Sequence, residues 1–326
     1  MARYRKKQYL DKFIILFHTV LLFFVAPVMA LEPPTHKAIN EHVANKNLTF
    51  NEFSLHNHLQ IQLGMPEGVE TYFAIDNINN INKQVLLWLS DGGEYEDKPS
   101  GCMPFWRSRH HFHNPVDNSG FSGIWDTHIL SGVSARDWAM YPVETQSCGY
   151  YSWNDKRLSY FWALAADSRD MRERYFAETF RGLGQLVHLV QDMSVPEHVR
   201  NDGHYFAYDY ELWAKSAKAP LIANYDAVYY VSDSSFPLSV GNLFDTEQYN
   251  GTNPNVTLYL NIGLSEYTSA NFLSPDSMFN KPNLPYPAYS ETELKAETDS
   301  TTQENKLYLT KRGYDDIDGS GERIEH

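Results

Sequence analysis

Residues 182–211, GLGQLVHLVQDMSVPEHVRNDGHYFAYDYE, place three histidines and several carboxylates along an apolar helical pattern and its exit. His188 and Asp192 stand at i and i+4, so on a helix their side chains leave one face about a turn apart and can converge on one cation. Leu183, Leu186, Val187, Leu189 and Val190 make the surroundings apolar, where polar side chains without partners are costly. Pro196 has no amide proton and biases Val195 out of the helical region, which ends the helix and turns His198 toward the same cavity. His204 follows six residues later. Taken singly, each of these residues reads as an ordinary core histidine or a helix-end carboxylate. Taken together, they are the usual zinc ligands at the density such a site needs.

Upstream, HKAINEHVANK reads as a helix with Thr35 as N-cap and Pro33-Pro34 fixing the approach, which puts His36 in the first turn. Residues 51–90 carry two further helical patterns, NEFSLHNHLQIQLG and a run through Val85–Leu89, broken at Gly64-Met65-Pro66. His56 and His58 are two apart, point different ways on a helix, and read as surface or packing residues. DGGEYEDKPSGCMPFWRSRHHFHNP reads as a loop holding Asp97 and the cluster His110, His111 and His113, and a loop this polar and aromatic is usually functional. Residues 155–192 read as long helix with a second start at Asp167-Ser168, so the fold expected is all-α, or mainly so. Beyond Pro220 the composition turns to Asn, Asp, Ser, Pro and Tyr. A helix is expected over Thr257–Asn271 and a small β appendage at KLYLTKRG.

Met1–Ala30 has a basic start, an apolar run over Phe13–Val25 and Val28-Met29-Ala30 before a cut, the three parts of a secretory signal. The alternative is an uncleaved membrane anchor, disfavoured by the short run and by His18. The expected division is thus a signal peptide over 1–30, a helical domain over 31–219 and an irregular, β-containing continuation over 220–326, secreted or periplasmic. Export suits Cys102 and Cys148, which could pair in an oxidising compartment. Cleavage after Ala30 would leave a free amine at Leu31, five residues before His36, and that amine and the Leu31 carbonyl could both coordinate a metal. At 326 residues and 42% hydrophobic the chain can bury one large core, and its net charge of −14 argues against bulk duplex nucleic-acid binding.

These residues resemble the bacterial zinc-dependent phospholipase C family, related in fold to the single-strand nucleases, in which up to three zinc ions lie in a cleft of an all-α domain. The resemblance covers about residues 31–215. It implies that Leu31, through its backbone, and His36 bind one zinc with Asp192 as a bridge. Tryptophan usually occupies the place of Leu31 in the family. A second zinc would take Asp97, His111 in HHFHNP, His188 and Asp192. The third would take His198 and then a histidine four residues before a glutamate; here the position four before Glu211 is Ala207, so His204 would reach Glu211 across a longer loop, or Asp209 would be the carboxylate, or this zinc would be weak or absent. Asp97 is implied as the residue that also orients or deprotonates the attacking water.

Clustered zinc suits phosphate-ester hydrolysis, because it binds phosphoryl oxygens and lowers the pKa of bound water. A phospholipase C would show apolar residues at the cleft mouth, for which Phe105, Trp106, Phe112 and Phe121 are candidates, with transient membrane-surface contact. A nuclease would need stacking platforms and basic contacts, for which only Arg107 and Arg109 stand nearby. A non-catalytic zinc-stabilised binding protein is the third class.

Overall fold

The computed structural model describes residues 31–47, 54–76, 81–99, 101–123, 127–142, 149–203, 214, 239–251 and 262–274, and short strands between 292 and 325. The helices among them are α1 (Pro33–Val43), α2 (Leu55–Leu63), α3 (Val85–Tyr95), α4 (Phe105–Ser108), α5 (Ala135–Met140), α6 (Trp153–Ala165), α7 (Arg169–Asp192), α8 (Pro196–Val199), α9 (Val240–Phe244) and α10 (Leu264–Asn271). The described chain is mainly α-helical.

Local chemistry sets the ends of these helices. Ser168 accepts a hydrogen bond from the Met171 amide and starts α7, while Arg169–Glu173 and Arg174–Glu178 pair at i,i+4 along its exposed side. Ser152 and Asp155 form a reciprocal capping box at the start of α6. Gly64 closes α2 in the left-handed conformation at φ +62°. For α1 the cap is three residues earlier than the sequence suggests: Glu32, not Thr35, is N-cap, and Pro33 and Pro34 occupy the first helical turn, where a missing amide proton costs nothing. Pro196 opens α8 rather than merely ending α7, which stops at Asp192.

α7 is the central element. On one flank Ala177 and Phe180 join Val85, Trp88 and Leu89 of α3 and Phe73 in a single apolar cluster. On the other, Leu186 and Leu189 join Trp138 and Ala139 of α5 with Met193, Val199 and Phe244. At a helical period of about 100° per residue, Arg181, Gln185, His188 and Asp192 fall on the strip between these two flanks. Each cluster buries aromatic and branched side chains of the kind worth roughly 1.5–3 kcal/mol apiece, so the polar strip is held open between two well-filled walls.

The DGGEY segment expected as loop is the last part of α3. Two glycines keep it there by removing side chains: a Cβ on Gly92 would sit 2.1 Å from the Arg181 carbonyl oxygen, and one on Gly184 would sit 2.1 Å from that of Leu89. The backbones of α3 and α7 therefore cross almost in contact, and Asp97, just past the end of α3, is delivered beside His188.

The α9 and α10 segments tie into the same body. Glu266, fully buried, accepts from the amides of Thr246, Gln248, Tyr249 and Gly263, and Arg200 Nη1 donates to the Ser269 carbonyl at 2.8 Å. The helix expected over Thr257–Asn271 is described only from Leu264. β1 (Tyr72–Asp76) pairs antiparallel with β2 (Ile81–Gln84), and β3 (Thr292–Thr298) with β4 (Asn305–Lys311), the latter covering KLYLTK of the expected appendage. Cys102 is disulfide-bonded; Cys148, the other cysteine of the chain, and the leader over 1–30 lie outside the described residues.

Candidate metal centre

His36, Asp97, His111, His188 and Asp192 come together from α1, the turn after α3, the loop after α4, and α7, and all five are completely buried. Asp192 is the hub: Oδ1 lies 3.2 Å from His36 Nε2, and Oδ2 lies 2.9 Å from His111 Nδ1 and 3.4 Å from His188 Nε2. Asp97 Oδ1 is 3.6 Å from His111 Nδ1 and 3.7 Å from His188 Nε2. Two triads thus have their ligand atoms within 4.8 Å of one another, His36–Asp97–His188 and His111–His188–Asp192.

The five share one long hydrogen bond, between His188 Nε2 and His111 Nδ1 at 3.4 Å. Both oxygens of Asp97, both of Asp192 and Nε2 of His36 are buried without a hydrogen-bond partner. Buried polar groups are otherwise almost always paired, so five such atoms in one cluster require an explanation. A cation could supply it, because imidazole nitrogens and carboxylate oxygens can share an ion.

The surrounding hydrogen bonds orient the rings. Asn40 Nδ2 donates to the carbonyls of Leu89 and Gly184, which leaves its Oδ1 to accept from Gln191 Nε2 at 2.8 Å. Gln191 Oε1 therefore faces His36 Nδ1 at 2.7 Å, that nitrogen donates, and Nε2 turns a lone pair toward Asp192. His188 Nδ1 donates to the Gly93 carbonyl at 2.7 Å, which aims Nε2 into the cluster in the same way. Metal-binding imidazoles commonly fix their remote N–H on a carbonyl or side chain like this.

Electrostatics follow the geometry. Burial raises the pKa of Asp97, and the imidazoles of His188, His111 and His36 only partly offset it. For Asp192 burial pulls upward too, but the same three rings outweigh it and hold the carboxyl well below the usual range. Burial lowers His111, yet Asp192 beside it lifts the ring to about 10, and His188 is raised for the same reason.

The remaining predicted ligands are placed as follows. His198 is fully buried at the end of α8, stacks on Phe112 at 4.3 Å, donates from Nδ1 to the His111 carbonyl, and lies 4.0 Å from Asp192 Oδ2, outside both triads. Leu31 is buried against Val195 and Ala214, so its side chain sits by the α7–α8 connection. His204, Asp209 and Glu211 lie outside the described residues. His113 is not brought to the cluster: its two nitrogens contact Ser134 Oγ and Asp245 Oδ2, each at 2.8 Å. His110 stacks on Trp138, and burial with the Arg109 charge takes its pKa down to about 3.

Of the aromatic residues expected at a cleft mouth, Phe112 and Phe121 are instead buried against each other behind His198, and Phe105 is buried as well. Trp106 is 39% exposed, with the Arg109 guanidinium 5.0 Å from its ring centre. Arg107, one of the two basic residues near the motif that a nuclease would need, is buried and committed to Glu96. The sequence reading missed Glu96 and Gln191, although each directly precedes a ligand candidate.

Fold and site define a mainly helical protein with buried His/Asp clusters able to hold a metal ion. No family model, no curated protein and no solved structure matches the chain.

Proposed function

We propose that this protein is an exported zinc-dependent phosphodiester hydrolase of the phospholipase C kind. The observation that supports it is the set of lone pairs without hydrogen bonds converging from His36, Asp97 and Asp192, with His111 and His188 beside them. This donor set, imidazole nitrogen with carboxylate oxygen, suits zinc, and two overlapping triads suit more than one ion.

Zinc bound there would lower the pKa of a water and neutralise charge developing on a phosphoryl group. His36, His111 and His188 with Asp97 and Asp192 would hold the ions. Asp97 is the group to take the water's proton: its pKa is raised and neither of its oxygens is used by a hydrogen bond. The buried wall of Phe112 and Phe121 behind His198 limits water around the cluster. Exposed Trp106 with half-buried Arg109 forms the aromatic and cationic pair nearest the ligand loop in sequence, suited to a phosphorylated head group at a membrane surface.

The test is metal analysis of the purified protein with parallel assays on phosphatidylcholine and single-stranded DNA. Zinc-dependent release of phosphocholine supports the reading. Zinc-dependent cleavage of DNA alone moves it to the nuclease class, and bound zinc with neither activity leaves a zinc-stabilised binding protein.

A further inference from the structure

His111 differs from the other two imidazoles of the triads. His36 and His188 fix Nδ1 outward and present Nε2, whereas His111 presents Nδ1 to Asp192 and Asp97 and turns Nε2 outward to Glu96 Oε1 at 3.6 Å. Glu96 is fully buried and is held from three directions: Arg107 Nη2 donates to both of its oxygens at 2.8 and 2.6 Å, Gln185 Nε2 to Oε2 at 2.8 Å, and Trp138 Nε1 to Oε1 at 3.2 Å. The Arg107 guanidinium, itself buried, stacks 5.1 Å from the Trp138 ring. A carboxylate gripped this way cannot turn, so its Oε1 is a fixed acceptor.

We propose that Glu96 is a positioning residue for the metal centre: it accepts the His111 Nε2 proton and so commits the Nδ1 lone pair of that ring to the metal. The contact of 3.6 Å would close to a charge-assisted bond of about 2.8 Å by a ring movement of about 0.8 Å. A buried ion pair is seldom a net gain for stability, which leaves the Glu96–Arg107 pair needing another use. Fixing one tautomer of a ligand ring is such a use, since it makes the ligand more basic and spares the ion the work of orienting it. Arg107 supplies the counter-charge that keeps Glu96 ionised, and Gln185, one turn before His188 on α7, registers the carboxylate against the same helix that carries two of the ligands. The inference rests on the metal reading of the site and not on the choice of substrate.

The experiment uses zinc-loaded protein labelled with 15N at histidine, and reads ring tautomers from long-range 1H–15N spectra beside zinc titrations of wild type and Glu96→Gln. The expected spectrum shows one zinc-bound imidazole protonated at Nε2 among others protonated at Nδ1. In Glu96→Gln that signature is lost, and zinc binds roughly 10–100-fold more weakly. A purely structural Glu96 would lower thermal stability but leave tautomers and affinity unchanged. Unchanged affinity in Glu96→Gln, or a wild-type spectrum with every zinc-bound ring protonated at Nδ1, overturns the proposal. Should the variant fail to fold, the wild-type spectrum decides alone. A wild-type protein that takes up no zinc refutes the metal centre itself and the proposal with it.

Discussion

Asp97→Asn should stabilise the metal-free protein and disable the metal-loaded one. Asp97 is fully buried, neither oxygen accepts a hydrogen bond, and burial outweighs the attraction of His188 and His111 at 3.6–3.7 Å, so its charge costs the empty fold free energy. Asparagine keeps the shape and removes the charge. A buried polar group left unsatisfied costs about 1–3 kcal/mol, and the neutral amide should recover part of that. At roughly 2–4 °C per kcal/mol for a chain of this order of size, the chelator-treated variant should melt a few degrees above chelator-treated wild type. With zinc the sign reverses: removing a direct ligand should weaken binding at least ~100-fold, or about 2.8 kcal/mol at 1.4 kcal/mol per decade. Thermal melts with chelator and along a zinc titration read both effects. A variant that melts lower than metal-free wild type and binds zinc equally well would mean that Asp97 is a structural ion-pair partner and that the cluster is not a ligand set.

Other outcomes follow from the same geometry. Gly184→Ala places a Cβ 2.1 Å from the Leu89 carbonyl where ordinary contact begins at 3.4 Å, so α3 and α7 must part by up to 1.3 Å. The expected cost is about 1–3 kcal/mol or more in a melt, with zinc affinity falling although Gly184 is no ligand; retained stability and affinity would contradict the crossing. His111, raised to about 10, carries a proton in the metal-free protein at neutral pH, and His188 is shifted in the same direction. Their contribution to the empty fold is fully present below the ordinary imidazole value of about 6.5 and is lost as pH rises through the folded values. Zinc binding at pH 7 should therefore release protons and strengthen as pH rises, which calorimetry in buffers of different ionisation enthalpy measures; no release would contradict the assignment. Protein beginning at Leu31 should hold more zinc and turn over faster than protein with one extra methionine before it, and equal values would show that the terminus is not a ligand.

Much of the site was legible because its densest part is local. His188 and Asp192 share a helix, a helix fixes their common face, and the apolar residues beside them are the two flanks that wall the strip. Asp97 and His111 stood out locally only as residue types, and the family resemblance alone joined them to His188 and Asp192, since their meeting depends on how closely α3 and α7 approach. Gly92 and Gly93 read as a loop because glycine weakens an isolated helix, whereas here close backbone approach requires a position without a side chain. Glu96 was hidden in the acidic run EYED, where one carboxylate reads as solvated as the next. Its partners Arg107, Trp138 and Gln185 come from three other elements, and no local spacing announces them. Phe112 and Phe121 show the opposite error, aromatic residues assigned to a surface because they border a functional motif, when the motif itself is buried.

The most direct measurement is the zinc content of purified wild type, His188→Ala and Asp192→Asn, determined by elemental analysis on folded, chelator-free protein. Both side chains are fully buried in the cluster, with Asp192 Oδ2 3.4 Å from His188 Nε2. Wild type should hold bound zinc, and each variant should lose at least one equivalent. Equal zinc in all three proteins, or none in wild type, would contradict the metal centre.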